Sequence, residues 1–322
     1  MQTQKMWAIL LHLGTNMWRK KNPFDTSYQD EELSIYRDFL YTDKETWTKV
    51  VDFLPSCGIN TVLIDLGEGV QYDSHPELAV KGSWTKAELR AELDRIRSLG
   101  MTPLPKLNFS AGHNAWMQDH AYMVGTDHYN QVCKDLIEEV IDLFDQPELI
   151  HLGMDEETME IQAHQPLATV RPYYTMIRDC NFLFDVCRAK GVRPWIWIDK
   201  DAIKGFGGEE RFRDGIPKDV LLSNWYYSMI PYSDDICEQK EAVALFKKLE
   251  DWGYEQVPTC STYAWYLNDK QMMYFAAQRM DLSKVRGFMT APWMFCVPNR
   301  YYTLLNDAFV FGNAKKDIFG EG

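Results

Sequence analysis

The stretch TKAELRAELDRIRSLGMTPLPKLNF (Thr85–Phe109) contains one complete structural unit. Thr85 and Glu88 make the T-x-x-E pattern of a capping box, in which each side chain satisfies an N–H group left free at a helix start. Leu89, Leu93, Ile96 and Leu99 then recur at helical spacing and give the helix one apolar face. Gly100 stops the helix, and MTPLPKLNF follows as a short apolar strand. The same order appears upstream. TDKETWTKVVDFLPSCG (Thr42–Gly58) opens on Thr42 and Glu45, the same capping pattern, and carries Trp47, Val50, Val51 and Leu54 on one face. It runs through Gly58 into INTVLID.

Downstream the rhythm continues. HYNQVCKDLIEEVIDLF leads to ELIHLGMD, YYTMIRDCNFLFDVCRAKG to VRPWIWID, and EAVALFKKLEDWG to YEQVPTCSTYAWY. DVLLSNWYY follows a loop, and a helical segment from about Lys270 to Met280 precedes SKVRGFMTAPW. With MWAILLHLG at the start and YYTLLNDAFVFGNA as a closing helix, the strands number eight. Strands alternating with helices imply a parallel sheet, and this number implies a closed (β/α)8 TIM barrel of the α/β class. An open doubly wound sheet is the competing fold, but no G-x-G-x-x-G follows the first strand. No linker or low-complexity tract divides residues 1–322, so one domain is expected.

The composition narrows the function. A net charge of −13 repels phosphate backbones, and no Lys/Arg cluster offsets it, so nucleic acid is excluded as a partner. No apolar run is long enough to span a membrane. KMWAILLHLG is too short for a signal segment and lacks an A-x-A site, so it reads as a strand. Localisation stays open between a periplasmic or secreted site, after removal of an export signal, and the cytoplasm. Cys57, Cys133, Cys180, Cys187, Cys237, Cys260 and Cys296 show no zinc spacing, and several fall on apolar faces as small hydrophobes. No metal or organic cofactor is implied, and the oligomeric state is not encoded in these motifs. Aromatic residues make up 14% of the chain, which suits a core and also a pocket for ligands with flat apolar faces, such as sugars.

In such barrels the chemistry sits on the loops after the strands. His12, Thr15, Asn16 and Trp18 follow the first strand, Asp65 and Glu68 the second, and Asn108, His113 and Trp116 the third. Asp155 and Glu156 end the fourth, Trp197 and Asp199 the fifth, Trp225 and Tyr226 the sixth, Tyr263 and Tyr266 the seventh, and Trp293 the eighth. Each part has an ordinary explanation: acids suit a helix N-terminus, and single tryptophans usually pack in cores. Together on one face they suggest a sugar site, with aromatic faces against the ring and a carboxyl protonating the leaving oxygen. The seventh strand ends in tyrosine where a second carboxylate would serve as nucleophile. Either another strand supplies it, with Asp199 the candidate, or the substrate supplies its own.

At this point the residues resemble the family 20 glycoside hydrolases, the β-N-acetylhexosaminidases. HLGMDEE is similar to the family's H-x-G-G-D-E signature, with Met154 for the second Gly. PLPKLNFSAGHNAW resembles the P-E-I-D-x-P-G-H segment: Gly112 and His113 match, Lys106 and Asn108 replace acids, and Ala111 replaces the Pro. YLND (Tyr266–Asp269) resembles a Y-L-D segment with Asn268 for Asp, and GFMTAPWMF resembles G-x-x-x-x-x-W-x-E with Phe295 for the acid. The hydroxyl-gripping Arg after the first strand has no match; Asn16 or Met17 falls near it. The resemblance spans most of the barrel, without an accessory N-terminal domain.

The resemblance implies substrate-assisted catalysis on an N-acetylhexosamine-containing glycan. Glu156 would be the general acid and then base, and Asp155 would hold the acetamido N–H. Tyr266, or alternatively Tyr263, would hydrogen-bond the acetamido oxygen. Trp197, Trp225 and Trp293 would wall the sugar, with His113 supporting the acids. Asn108, Asp199, Tyr226 and Asn268 complete the candidate binding set. Ionised Asp155 is expected to favour the protonated form of Glu156. The replaced Arg and acid imply altered hydroxyl contacts and a modified or branched substrate. Two alternatives stay open: a barrel that binds glycan without cleaving it, and a glycosidase with a protein carboxylate nucleophile acting on sugars without an acetamido group.

Overall fold

A computed structural model describes residues 4–18, 35–162, 167–230 and 240–320. Its strands are β1 (Met6–His12), β2 (Thr61–Asp65), β3 (Thr102–Lys106), β4 (Leu149–His151), β5 (Arg193–Ile198), β6 (Leu221–Asn224), β7 (Thr259–Cys260) and β8 (Gly287–Thr290). They form one parallel sheet in the order β6-β5-β4-β3-β2-β1-β8-β7. Isolated parallel bridges Leu222–Gln256 and Trp225–Thr259 span the remaining gap between β6 and β7. The result is the expected (β/α)8 barrel, nearly closed. Between the strands run α1 (Lys44–Phe53), α2 (Lys86–Ser98), α3 (Asp127–Leu143), α4 (Tyr173–Ala189), α5 (Lys200–Gly205), α6 (Glu209–Gly215), α7 (Lys240–Asp251) and α8 (Asn268–Arg279), closed by α9 (Tyr301–Phe319).

Period-two alternation sorts the strand residues. Outward-facing Ile9, Leu11, Val62, Ile64 and Ile196 join the helices in the outer core. Inward-facing Ala8, Leu10, Leu63, Leu104, Leu149, Trp195, Leu221, Val257 and Met289 fill the barrel. Each fully buried aliphatic side chain contributes about 1.5–3 kcal/mol. Above that apolar fill, one register row is polar: His12 pairs with Asp65, Asp65 with Lys106, and Lys106 with His151. This row is the floor of the barrel mouth.

The helix starts show where local chemistry decides. Thr85 and Glu88 form the expected reciprocal capping box on α2. Thr42 and Glu45 do not form one on α1. Asp43 is the cap there, accepting from Thr46 N at 2.8 Å, and Thr42 donates to the carbonyls of His12 and Leu13. A carboxylate is the stronger acceptor, so the cap moves one residue along. The connection before β6, read as loop, contains α5 and α6, too short for their periodicity to register in sequence. Cys133, Cys180, Cys187, Cys260 and Cys296 are buried and unpaired, as small hydrophobes, while Cys237 lies outside the described residues. No helix among the described residues is long and apolar enough to cross a membrane.

Candidate active site

Adjacent residues on a strand face opposite ways, so Asp155 and Glu156 can share a pocket only if the chain leaves strand geometry. It does so directly after β4. Gly153 has φ +74°, Met154 +75° and Glu156 +50°. Left-handed backbone at non-glycine residues costs about 1–3 kcal/mol each and is held by its surroundings. Gly153 is required: a Cβ there would lie 2.1 Å from Asn108 Oδ1. The Ser110 hydroxyl donates to the Asp155 carbonyl, and a Cβ on Gly112 would lie 2.6 Å from the Glu156 carbonyl oxygen. The third acid of the run, Glu157, faces away from the pocket. It takes a bidentate pair from Arg171, at 2.8 and 2.6 Å, and accepts from Ala111 N at 3.0 Å. Two of the three acids therefore face the mouth, and the third anchors the loop that turns them there.

His113 stands between the two. Its Nδ1 lies 3.4 Å from Asp155 Oδ1 and its Nε2 3.2 Å from Glu156 Oε2. Burial opposes a charge on the ring, but the Asp155 and Glu156 carboxylates outweigh it and raise the His113 pKa to about 10. The two acids thus share an imidazolium instead of facing each other directly. The three side chains are also close enough together to hold a metal ion, which would have to displace a proton from the ring to bind it.

Aromatic residues wall the hollow. Trp18, Trp225, Tyr227, Tyr263 and Trp293 line it with Met17, Asn108, His113, Asp155 and Glu156, around a cavity of about 290 Å³. Trp225 and Tyr227 stack, with ring centroids 5.0 Å apart. Trp293, itself at φ +54°, packs edge-on to Trp18 and against Trp197. The volume is at the small end of the ~300–1,000 Å³ usual for small-molecule sites, which suits a single sugar ring.

Beneath lies the polar row. Lys106 Nζ is 2.6 Å from Asp65 Oδ2, and His12 Nδ1 is 3.2 Å from the same oxygen. Burial opposes the Asp65 charge, but Lys106 and His12 hold its pKa down to about 2. His151, packed against Trp195 and Trp197, is kept neutral by burial and by Lys106. Glu68 accepts from Thr15 N at 2.7 Å and Asn16 N at 3.0 Å, and so positions the loop that carries Met17 and Trp18 into the pocket.

Not every candidate meets the cavity. Trp197 is buried in the barrel fill beneath Trp293. Asp199 caps α5, accepting from Ala202 N at 2.8 Å, and burial pushes its pKa up to about 7. Tyr226 is packed into the outer core, and its neighbour Tyr227 occupies the pocket wall. Strand parity explains this: Leu221, Trp225 and Tyr227 share the inner face. That signal was present in NWYY, and it points to Tyr227. Tyr266 is 60% exposed beside Trp265, outside the cavity lining, whereas Tyr263 belongs to that lining. Asn268 is buried at the start of α8, accepting from Ser261 N and donating to the Ser228 carbonyl, and so ties the β6 and β7 loops together.

No protein-family model and no curated protein sequence matches the chain. Solved structures do. A β-N-acetylhexosaminidase from Bacteroides fragilis is 13% identical with a TM-score of 0.61, over 94% of this chain and 66% of that one. The pneumococcal virulence factor StrH is 14% identical with a TM-score of 0.64, over 98% of this chain and 84% of that one. A family 20 β-N-acetylhexosaminidase from Streptomyces coelicolor is 13% identical with a TM-score of 0.59, over 96% and 64%. The barrel therefore has the fold of the family that the motifs resemble.

Proposed function

We propose that the chain is a retaining, substrate-assisted glycoside hydrolase that removes a terminal N-acetylhexosamine from a glycan. The observation that carries the reading is the convergence of Asp155, His113 and Glu156 on one aromatic-walled hollow at the C-terminal mouth of the barrel. The likeness in fold to family 20 hexosaminidases adds weight.

In this reading the acetamido carbonyl oxygen attacks C1 as the C1–O bond to the aglycone breaks. Glu156 gives a proton to the leaving oxygen, and an oxazolinium ion forms. Water then adds at C1, Glu156 takes its proton, and the acetamido group is restored with retention of configuration. Asp155 accepts the acetamido N–H and stabilises its growing positive charge. Glu156 first needs a proton, and His113 Nε2 at 3.2 Å is a ready source. A sugar that seals the hollow disfavours the charge-separated pair, which favours proton transfer to the carboxyl. Tyr263 or Tyr227 takes the role of tyrosine partner to the acetamido oxygen.

A second reading, a barrel that binds glycan without cleaving it, has one observation in its favour. Phe295 is buried against His12 and Tyr41 where the resemblance expects a sugar-gripping acid. An Asp199 nucleophile has less support, because that carboxyl is engaged in capping α5. A thiazoline mimic of the cyclised intermediate separates the three. Tight binding with release of p-nitrophenol from an N-acetyl-glucosaminide or -galactosaminide supports the proposal. Binding without release supports the second reading, and activity only on sugars lacking the acetamido group supports a protein nucleophile.

A further inference from the structure

Three of the chain's seven histidines gather on the barrel rim, away from the hollow described above. His75 and Glu77 lie on the loop between β2 and α2, His120 on the loop between β3 and α3, and His128 on the first turn of α3. One carboxylate oxygen joins two rings: Glu77 Oε1 is 2.9 Å from His75 Nδ1 and 3.0 Å from His120 Nε2. The ring edges facing away also have polar neighbours. His75 Nε2 is 3.5 Å from Asp135 Oδ2, and His120 Nδ1 is 3.0 Å from His128 Nε2.

From these contacts we propose that His75 Nδ1, Glu77 Oε1 and His120 Nε2 form a binding site for a divalent transition metal, zinc above all. The three atoms lie within 4.8 Å of one another. Ligands about 2.1 Å from a shared ion sit roughly 3.0–3.4 Å apart, so the two contacts to Glu77 Oε1, at 2.9 and 3.0 Å, need to open by only a few tenths of an ångström. Two imidazoles and a carboxylate, with further positions open to solvent, are a donor set that zinc accepts. The outer partners match what metal-bound histidines require, because a ligating ring usually gives its other N–H to a carboxylate or similar acceptor. His128 stands against His120 in this way at 3.0 Å, while Asp135 is a more distant neighbour of the outer His75 edge at 3.5 Å.

The backbone holds the donors in place independently of an ion. Gln118, two residues before His120, takes φ +51° and ψ −125°, and its amide donates to the Glu77 carbonyl at 2.7 Å. Glu139 on α3 accepts from Asp73 N at 2.8 Å and Ser74 N at 2.9 Å, which fixes the segment just before His75. A bound ion would clamp the β2 loop to the β3 loop, and the β3 loop carries Asn108 and His113 into the hollow.

The test is titration of the chelator-treated full chain with zinc chloride, by calorimetry and by thermal unfolding. The wild type is expected to bind one equivalent with a dissociation constant of roughly 1 μM or below. Zinc in large excess should raise its melting temperature by a few degrees. In the H75A/H120A variant that equivalent and the thermal shift should both disappear. H128A keeps all three ligands and should weaken binding about 10–100-fold, which covers the case in which the double variant fails to fold. A wild type that takes up no zinc, or variants that bind it as tightly as wild type, would overturn the assignment.

Discussion

His113 Nε2 lies 3.2 Å from Glu156 Oε2, while the opposite edge of the same ring faces Asp155. A buried imidazolium between two acids ties stability to pH. Burial opposes its charge, yet the two carboxylates raise its pKa from 6.5 to about 10. A group whose pKa is raised on folding contributes fully below its unfolded value, and its contribution is lost as pH climbs through the folded one. Between pH 7 and 9 this single group should therefore cost the wild type roughly 2–3 kcal/mol. Urea unfolding at both pH values should show the loss in wild type and a flatter response in H113Q. Equal slopes would remove His113 from this role.

Gly153 and Asn108 give a second prediction. G153A forces a Cβ onto the Asn108 amide and keeps a left-handed φ. The loss should exceed about 2 kcal/mol. In the background of N108A the clash is gone and only the backbone penalty of about 1 kcal/mol remains. A double-mutant cycle by chemical denaturation should show this non-additivity; additive losses would mean that the two residues do not meet.

The Glu157–Arg171 pair explains why the acidic run needs its third member. Arg171 also lies 3.2 Å from buried Asp179. R171M would leave buried Glu157 without its cation, while Asp179 keeps Arg178 at 2.8 Å, and should cost about 3–5 kcal/mol. Calorimetric melting of R171M tests this, and a variant as stable as wild type would show that the clamp is dispensable.

The tyrosines allow a direct comparison. Y227F and Y263F should each lower kcat/KM by roughly tenfold, the value of one good hydrogen bond. Y226F, packed in the outer core, and Y266F, on the open rim, should stay within about threefold of wild type, since neither touches the hollow. If Y266F is the most impaired of the four, the rim closes over the sugar and Tyr266 regains the role that its motif suggested.

These residues also show what can be read from the chain. The barrel was legible because each helix–glycine–strand unit, such as Thr85–Phe109, is locally self-consistent. The acid pair and Gly-His were legible because they sit in short motifs at strand ends. Tyr227 was missed although parity with Trp225 marks it. Thr42 misled because the neighbouring Asp43 carboxylate is the stronger acceptor for the same N–H groups, and Thr42 turns to the His12 and Leu13 carbonyls instead. The placement of His113 between the acids, and of Asn268 as a tie between loops, depends on segments far apart in the chain meeting at one rim. No local pattern encodes that.

The central claim is that the carboxyl of Glu156 carries the proton to the leaving oxygen. The most direct test is single-turnover cleavage of an N-acetyl-β-hexosaminide with a sugar or alkyl leaving group, which needs protonation to depart, by wild type and E156Q, with the fold of both checked by melting. The account predicts that E156Q remains cooperatively folded, with a somewhat lower melting temperature because His113 loses one of its two carboxylates, still binds the thiazoline, and is slower by about 10²–10⁴-fold. An E156Q protein that is folded and turns over at the wild-type rate would contradict it.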